Sequence, residues 1–507
     1  MIVDDALPPR PGRSLNRRAA LAALVIVLIT AGAVGAAGLL QLDDLQSAFI
    51  KAGGGQNGIN LPDITPSEAG KPQTIMILGT DGRLGADAGG GRRSDTIILA
   101  RLNASKSAIT LMSIPRDLKV TIPGYQLQDK INAAFDNGGT NLTLKTVKSL
   151  LSQPGEPFKI NHVVQVNFTG FRRMVDYLGC TYVDVDRDYF NDVGGPGGYA
   201  TIDIDPGYQK ICGSDALDYV RYRYEDNDLI RGARQQDFIR QLLRQPGVRR
   251  RIGFSKRKTL ARIAGRYTVT DDQLIESKTA LLSLARLGLA VADKPVQQVT
   301  FGLGRIEDDG AYLMASDDAI ADTVDSFMNP KTVTTETEKE PSAAPPASKP
   351  KGKKKSSAED IPAGLSSVAS AGETMAISAS RRLDFPFYFP KLGVSTGRYL
   401  DETARIYRMK VRRRSYEAYR MVVAVGPPGE YYGIQGMTWR NPPVLAGPHD
   451  TVDADGRELL VYYDGKKVRL VAWRTRRGVY YVHNTLARTQ SKTRMVAIAR
   501  SLTRLGS

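Results

Sequence analysis

From Gln73 the chain sets short β-rich runs between turn residues: TIMILG, then DTIILARL and SAITLMSIP, the last two joined by NASKS. Short apolar runs bounded by Gly, Pro, Asn and Ser predict strands. NLTLKTVKSLL then reads as an amphipathic helix, HVVQVNFTGF as a strand entering the helix FRRMVDYLG, and TYVDVD as a further strand. GSDALDYVRYR and IRGARQQDFIRQLLRQ predict helices, the second from Ile230, Ala233, Phe238, Leu242 and Leu243 near helical spacing. Residues 256–293 read as mostly helical. Strands mixed with helices on this scale predict a layered α/β domain over 72–328.

The pattern then breaks. Residues 329–372, with TETEKEPSAAPPASKPKGKKKSSAED at their centre, are poor in apolar side chains and predict a disordered linker. From 373 to 507, MVVAVGPPGEYYGIQGMTWRNPPVL, ELLVYYDGKKVRLVAWRT and GVYYVHNTL read as strands and TRMVAIARSLTRL as a closing helix. YYDGKKVRL carries an Asp-Gly hairpin signal. This is a small α+β unit, and no catalytic constellation stands out in it. Trp439 and Trp473 both lie there and suit either core packing or a sugar face.

One apolar run is different in kind. AALAALVIVLITAGAVGAAGLL, from Ala19 to Leu40, holds no charge, and a helix of that length crosses about 30 Å of hydrocarbon. Arg10, Arg13, Arg17 and Arg18 precede it and Asp43 and Asp44 follow. The positive-inside rule then places residues 1–18 in the cytoplasm, 19–40 in the cell membrane as a single span, and the rest outside, beginning with a Gly/Pro/Ser-rich tether over 41–71. A cleaved signal peptide is the alternative, and the length of the run disfavours it. This topology changes what the net charge of +17 means. The partner class becomes anionic lipid or wall polymer, and nucleic acid is excluded. The two cysteines, Cys180 and Cys212, are both outside, where a disulfide can form; two reduced, buried side chains are the alternative. Three histidines, His162, His449 and His483, leave little room for histidine chemistry.

Candidate chemistry gathers in three clusters. LGTDGRLGADAGGGRRSDTIIL sets Asp81 and Asp95 beside Arg83 and Arg93 across a glycine-rich spacer, after a predicted strand, where α/β sheets bind ligands. Two carboxylates so close need a cation or arginines; oxygen donors suit magnesium. SIPRDLKV and QDKINAAF add Arg116, Asp117 and Lys130, which also fit a buried ion pair in a turn. YVRYRYEDNDLIRGARQQ adds Arg221 and Arg223, then Arg231, Arg234, Gln235 and Gln236 on a predicted helix. Arginine grips phosphate with two parallel hydrogen bonds, although a basic helix surface has the same pattern.

Taken in order, LGTDGR, RRSDTIIL, SIPRD, DKINAAF, VNFTGF, ALDYVRYR and IRGARQQ behind one apolar N-terminal segment resemble the LytR-CpsA-Psr family of cell-envelope proteins over roughly 72–250. The resemblance implies a three-layer α/β/α sandwich around an apolar groove for an isoprenoid tail. It implies a phosphotransferase that moves a glycopolymer from a polyprenyl-pyrophosphate carrier to peptidoglycan, with Mg2+ or Mn2+ as cofactor. By that resemblance Asp81 and Asp95 hold the metal. Arg93, Arg116, Arg221 and Arg223 bind pyrophosphate oxygens, with Arg83, Lys130, Arg231, Arg234, Gln235 and Gln236 around the head group. Asp81, Asp95 or Asp117 serves as base. A hydrolase of polyprenyl-pyrophosphate glycolipids, and a non-catalytic, membrane-anchored binder or regulator of wall precursors, remain as alternatives. The long spacer between Asp81 and Asp95 and the C-terminal unit both depart from the family pattern.

Overall fold

Alternation of side chains along the strand QTIMILGT decides the architecture. Ile75 and Ile77 enter one buried core and Met76 and Leu78 another, so the strand is covered on both faces. The structure is a computed structural model. It describes residues 39–54, 58–80, 96–192, 201–222, 228–245, 257–291, 294, 296–302, 306–308, 311–330, 361–426, 429–454 and 456–505. The chain divides into two compact units, Met1–Pro330 and Lys331–Ser507.

The first unit begins with α1 (Leu39–Ala52), β1 (Gly58–Ile59), β2 (Gln73–Thr80), β3 (Thr96–Asn103) and β4 (Ala108–Ile114). A hairpin of β5 (Lys119–Thr121) and β6 (Gln128–Lys130) leads to α2 (Ala133–Leu151), β7 (His162–Asn167) and α3 (Phe168–Leu178). Two further hairpin strands follow, β8 (Thr181–Val185) and β9 (Tyr189–Asn191), then β10 (Ile202–Ile204) and β11 (Gly207–Ile211). The rest is α4 (Gly213–Arg221), α5 (Asp228–Leu243), α6 (Arg257–Tyr267), β12 (Thr268–Asp271), α7 (Asp272–Glu276), α8 (Lys278–Val291), β13 (Val296–Thr300) and α9 (Asp317–Met328). One mixed sheet runs β1-β12-β7-β2-β3-β4-β13. Phe171, Phe238, Leu260 and Leu284 of α3, α5, α6 and α8 cover one face; Phe135, Leu144, Ile320 and Phe327 of α2 and α9 cover the other. The fold is mixed α/β.

Two predicted boundaries shift. Residues 41–71, read as a tether, hold most of α1 and all of β1, and Ile59, Leu61 and Ile64 are buried in the second core. Their apolar residues are too sparse among Gly, Pro and Ser to show a period, and tertiary packing supplies the order. Gly265 of α6 makes the docking possible: a Cβ there would collide with the Phe49 backbone. The linker read over 329–372 is shorter at its far end, since a strand at Leu365–Ser367 and a helix from Ala369 belong to the second unit. Residues 331–360 lie outside the described residues, as do residues 1–38 and so most of the span expected over 19–40. Among the described residues no helix is long and apolar enough to cross a membrane.

In the second unit, strands between Arg398 and His483 form one antiparallel eight-stranded sheet. Its core takes Met375 and Ala376 from the helix Ala369–Ser380 and Met495 and Ile498 from Lys492–Arg500. Trp473 is buried there, stacked on Tyr480 at 5.2 Å with the Arg457 guanidinium 4.9 Å over its ring, so it serves the core.

Cys180 and Cys212 form a disulfide with Cα atoms 4.5 Å apart. It ties the left-handed exit of α3, through Gly179, to Cys212 at the start of α4. The closed loop has a sequence separation of 32, so chain entropy alone predicts a contribution of roughly 3–4 kcal/mol. The Cys180→Ser, Cys212→Ser chain should unfold at correspondingly lower urea, and an unchanged midpoint would show the bridge to be idle.

Candidate anion-binding site

Strand direction selects one end of the sheet. β2 and β7 run parallel, as do β4 and β13. β3 lies antiparallel between β2 and β4, pairing Gly79 with Thr96 and Ile97 with Ile114. The C-terminal ends of β2, β4, β7 and β13 therefore meet at one edge, with the starts of β3 and β12 beside them. Loops at such an edge collect ligand-binding groups.

Arg116 and Asp117 sit in the turn that leaves β4 at this edge, and α5 brings its first residue to them. Asp228 is the hub. Its Oδ2 accepts the Arg116 backbone N–H at 2.8 Å, and its Oδ1 lies 3.6 Å from Arg116 Nε and 2.7 Å from Arg231 Nη2. Asp117 Oδ2 lies 3.3 Å from Arg116 Nε, and its Oδ1 3.0 Å from Lys130 Nζ. One chain of alternating charge thus runs Lys130–Asp117–Arg116–Asp228–Arg231. Arg116, Asp228 and Arg231 are buried, where such pairs are screened least by solvent. Asp228 in the first turn of α5 also faces the positive end of the helix dipole. The next residues of the loop continue the site: the Asn132 N–H donates to the Arg116 carbonyl, while buried Asn132 Nδ2 and Thr80 Oγ1 have no hydrogen-bond partner among the described residues.

The other arginines of α4 and α5 take different places. Arg221 ends α4, fully buried, with its guanidinium 5.7 Å over the Phe168 ring and 3.5 Å from Asp218 Oδ1. Phe168 follows β7, so Arg221 belongs to the same edge. Tyr222 leaves helical backbone geometry and stops the helix. Arg234 donates to the Tyr222 carbonyl and lies over Tyr189 at 4.7 Å, Tyr219 at 5.8 Å and Tyr222 at 5.9 Å. Gln235 Nε2 donates to the Val220 carbonyl at 3.2 Å and Gln236 Nε2 to the Val299 carbonyl at 3.3 Å. Arg231 and Arg234, three residues apart on one helix, thus take different places. Arg231 joins the charged chain, while Arg234, Gln235 and Gln236 hydrogen-bond backbone carbonyls around it. Burial, first, then nearby Tyr189 and Asp186, push the Tyr219 phenol well above its ordinary pKa, so it stays neutral beside Arg234.

Three participants were absent from the sequence reading: Asp228, Arg187 and Tyr189. Arg187 stacks 4.7 Å over Tyr189 and 5.1 Å over Tyr222. Asp228 had a signal, its position three residues before Arg231 on a helix face. Arg187 and Tyr189 had none, because their partners come from α4 and α5.

Asp81, Arg83, Arg93, Asp95 and Arg223 lie outside the described residues. What brackets them is described. Thr80 and Thr96 close the β2–β3 pairing at this edge, and Asp81 and Asp95 are bonded to them. Tyr222 and Asp228 likewise bracket Arg223. A donor set of two carboxylates suits a hard divalent cation such as Mg2+ or Mn2+.

Residues 48–328, more than half of the chain, match the LytR_cpsA_psr family. The chain belongs to the LytR-CpsA-Psr family. Among curated proteins it is 31% identical over 219 residues to a Bacillus subtilis polyisoprenyl-teichoic acid–peptidoglycan teichoic acid transferase, TagT, covering 43% of this chain and 66% of that one. It is 37% identical over 172 residues to the Enterococcus faecalis TagU of the same description, covering 33% and 52%. The chain thus spans about half to just under two thirds of the length of these relatives. Among solved structures, TagT bound to LIIa-WTA aligns with a TM-score of 0.41 at 23% identity over 54% of this chain and 98% of that one. B. subtilis TagU aligns with a TM-score of 0.35 at 24% identity, over 51% and 96%.

Proposed function

We propose that this LytR-CpsA-Psr chain is a phosphotransferase that joins a glycopolymer, carried on a polyprenyl pyrophosphate, to peptidoglycan through a phosphodiester. The observation that carries the reading is the charged chain Lys130–Asp117–Arg116–Asp228–Arg231 at the sheet edge, with Arg221 at the same edge near the end of β7. A cationic group of that density, fixed by the Asp117 and Asp228 carboxylates, is preorganised for a pyrophosphate. The relatives' description as teichoic acid transferases supports the same reading.

In the reaction a hydroxyl oxygen of the acceptor attacks the phosphorus that bears the glycan. The P–O bond to the second phosphate breaks, and the lipid leaves as a monophosphate. The hydroxyl proton passes to a carboxylate, for which Asp81, Asp95 and Asp117 are the candidates. Arg116, Arg231, Arg221 and Lys130 bind the non-bridging oxygens and oppose the repulsion that slows attack on a phosphate anion. Asp81 and Asp95 would hold a divalent cation, which when bound supplies further neutralisation of the pyrophosphate charge. The uncharged run 19–40 would anchor the chain in the cell membrane, with its bulk outside, close to a lipid-borne donor; nucleic acid is no partner.

The test is transfer by the full chain in detergent, from a polyprenyl-pyrophosphoryl glycan to a peptidoglycan oligomer, with Mg2+ or chelator. Mass spectrometry should find a phosphodiester-linked product and lipid monophosphate only with metal. Lipid cleavage without adduct would replace the transferase by a hydrolase, and binding without turnover by a binder.

A further inference from the structure

The sheet of the second unit comes apart at one place. The strands Arg457–Asp464 and Lys467–Arg474 are neighbours, and their ladder runs from the pair Asp464–Lys467 to the pair Leu460–Ala472. There it stops, although both strands go on. The first extends back to Arg457 against Asp450–Ala454, and the second onward to Arg474 against Val479–His483. Residues 457–459 and 473–474 are thus paired on their outer sides and have no register partners in each other. A cavity of about 510 Å3 lies at this place, lined by Arg457, Glu458, Leu460, Trp473, Arg474 and Tyr388 among others. That is the size of a small-ligand site.

The lining chooses the occupant. A sugar needs an open aromatic face. Trp473 is 3% exposed, stacked on Tyr480, with the Arg457 guanidinium 4.9 Å over its ring, and Tyr388 meets it edge-on at 5.6 Å. A polyanion would meet the exposed Glu458 carboxylate, and a simple cation would meet Arg457 and Arg474. Both guanidiniums are fixed in place. Arg457 Nη1 donates to the Leu502 carbonyl at 3.0 Å, and Arg474 donates to Asn441 Oδ1 at 2.9 Å and to the Leu445 carbonyl at 3.2 Å. Arg457 keeps Nε and Nη2 for a ligand. The lining therefore suits a ligand that carries both signs of charge, and strand edges that lack a partner suit an extended backbone.

We propose that this cleft in the second unit is a peptide-binding site, which seats a short, extended peptide bearing both an ammonium and a carboxylate. In a chain whose acceptor is peptidoglycan, that peptide is the stem peptide. Its backbone follows the edge left by the ladder, its ammonium meets Glu458, and its carboxylate meets Arg457 and Arg474 in charge-assisted hydrogen bonds. The source of the peptide rests on the transferase reading above; the cleft and the chemistry of its ligand do not.

The probe is a synthetic stem pentapeptide with a free lysine amine and a free C-terminus, titrated against the full chain in detergent without donor and followed by saturation-transfer NMR. Glu458→Gln should weaken binding at least fivefold while the urea midpoint stays in place, since the side chain is exposed. Acetylating the lysine amine should weaken binding to the unaltered chain as much, and should cost the Glu458→Gln chain nothing further. Arg474→Gln should abolish the preference for a free over an amidated C-terminus. No binding to the unaltered chain at millimolar peptide, or equal affinity in both variants, overturns the proposal. So does an N-acetylglucosamine tetramer that binds the unaltered chain and is weakened by Glu458→Gln, which would give the cleft to glycan. Binding needs no turnover, so a chain that seats the peptide and transfers nothing keeps this site and loses the transferase.

Discussion

Replacing Asp228 by alanine should cost about 3–5 kcal/mol of stability and lower transfer by at least about a hundredfold. The first figure is the usual cost of removing one partner from a buried ion pair, and here the loss is shared. One carboxylate holds the Arg116 backbone N–H, the Arg116 side chain and Arg231. Without it, two buried guanidiniums lose the carboxylate they share, although Asp117 still faces Arg116. The second figure follows from position, because Arg116 and Arg231 would no longer be aimed, and small misplacements at a reacting centre cost orders of magnitude. Asp228→Asn keeps an acceptor and the volume but not the charge, and should fall between. Urea unfolding and initial transfer rates check both. A midpoint unchanged in Asp228→Ala would mean that the hub carries no load.

Asp81→Asn should behave in the opposite way. Transfer should fall by about a hundredfold or more if Asp81 holds the proposed cation, since one of the two carboxylates that would bind that neutralising charge is lost, while the urea midpoint holds or rises. The reason is electrostatic. Asp81 and Asp95 are bonded to Thr80 and Thr96, at the edge where β2 and β3 pair, and two carboxylates brought to one place repel in the absence of a cation. Removing one charge relieves that repulsion. The Mg2+ concentration that gives half-maximal rate should rise in the same variant. A wild-type rate with a wild-type metal dependence would strike both aspartates from the site.

The contrast between these two residues shows what the chain's pattern discloses. β2, β3 and β4 were legible because runs such as TIMILG and TIILARL are β-rich and end at turn residues. The helix carrying Arg231 was legible from Ile230, Ala233, Phe238 and Leu242. β12, TVTD, was not: four residues between two helical stretches give no period, though all four are buried in the sheet between β1 and β7. α1 was hidden among tether-like residues because its order comes from α6. Within the site, Arg116 and Lys130 drew notice as cations near turns. Asp228 sits among Glu225 and Asp226 in YEDND, and composition alone cannot say which acid turns inward. Arg234, Gln235 and Gln236 were rightly placed on one helix, but their hydrogen bonds go to Tyr222, Val220 and Val299, contacts that only the folded chain creates.

The sheet's polarity offers a practical handle. The turn Ala104–Ser107 between β3 and β4 lies at the edge opposite the chemistry, since Asn103 pairs with Ala108 there. Ser105, Lys106 and Ser107 are exposed, and the Lys106 side chain donates to Asn329 Oδ1 at 2.6 Å. A fluorophore or affinity peptide spliced into that turn should leave folding and turnover alone. It would report where the protein sits in a living cell without touching any group of the charged site.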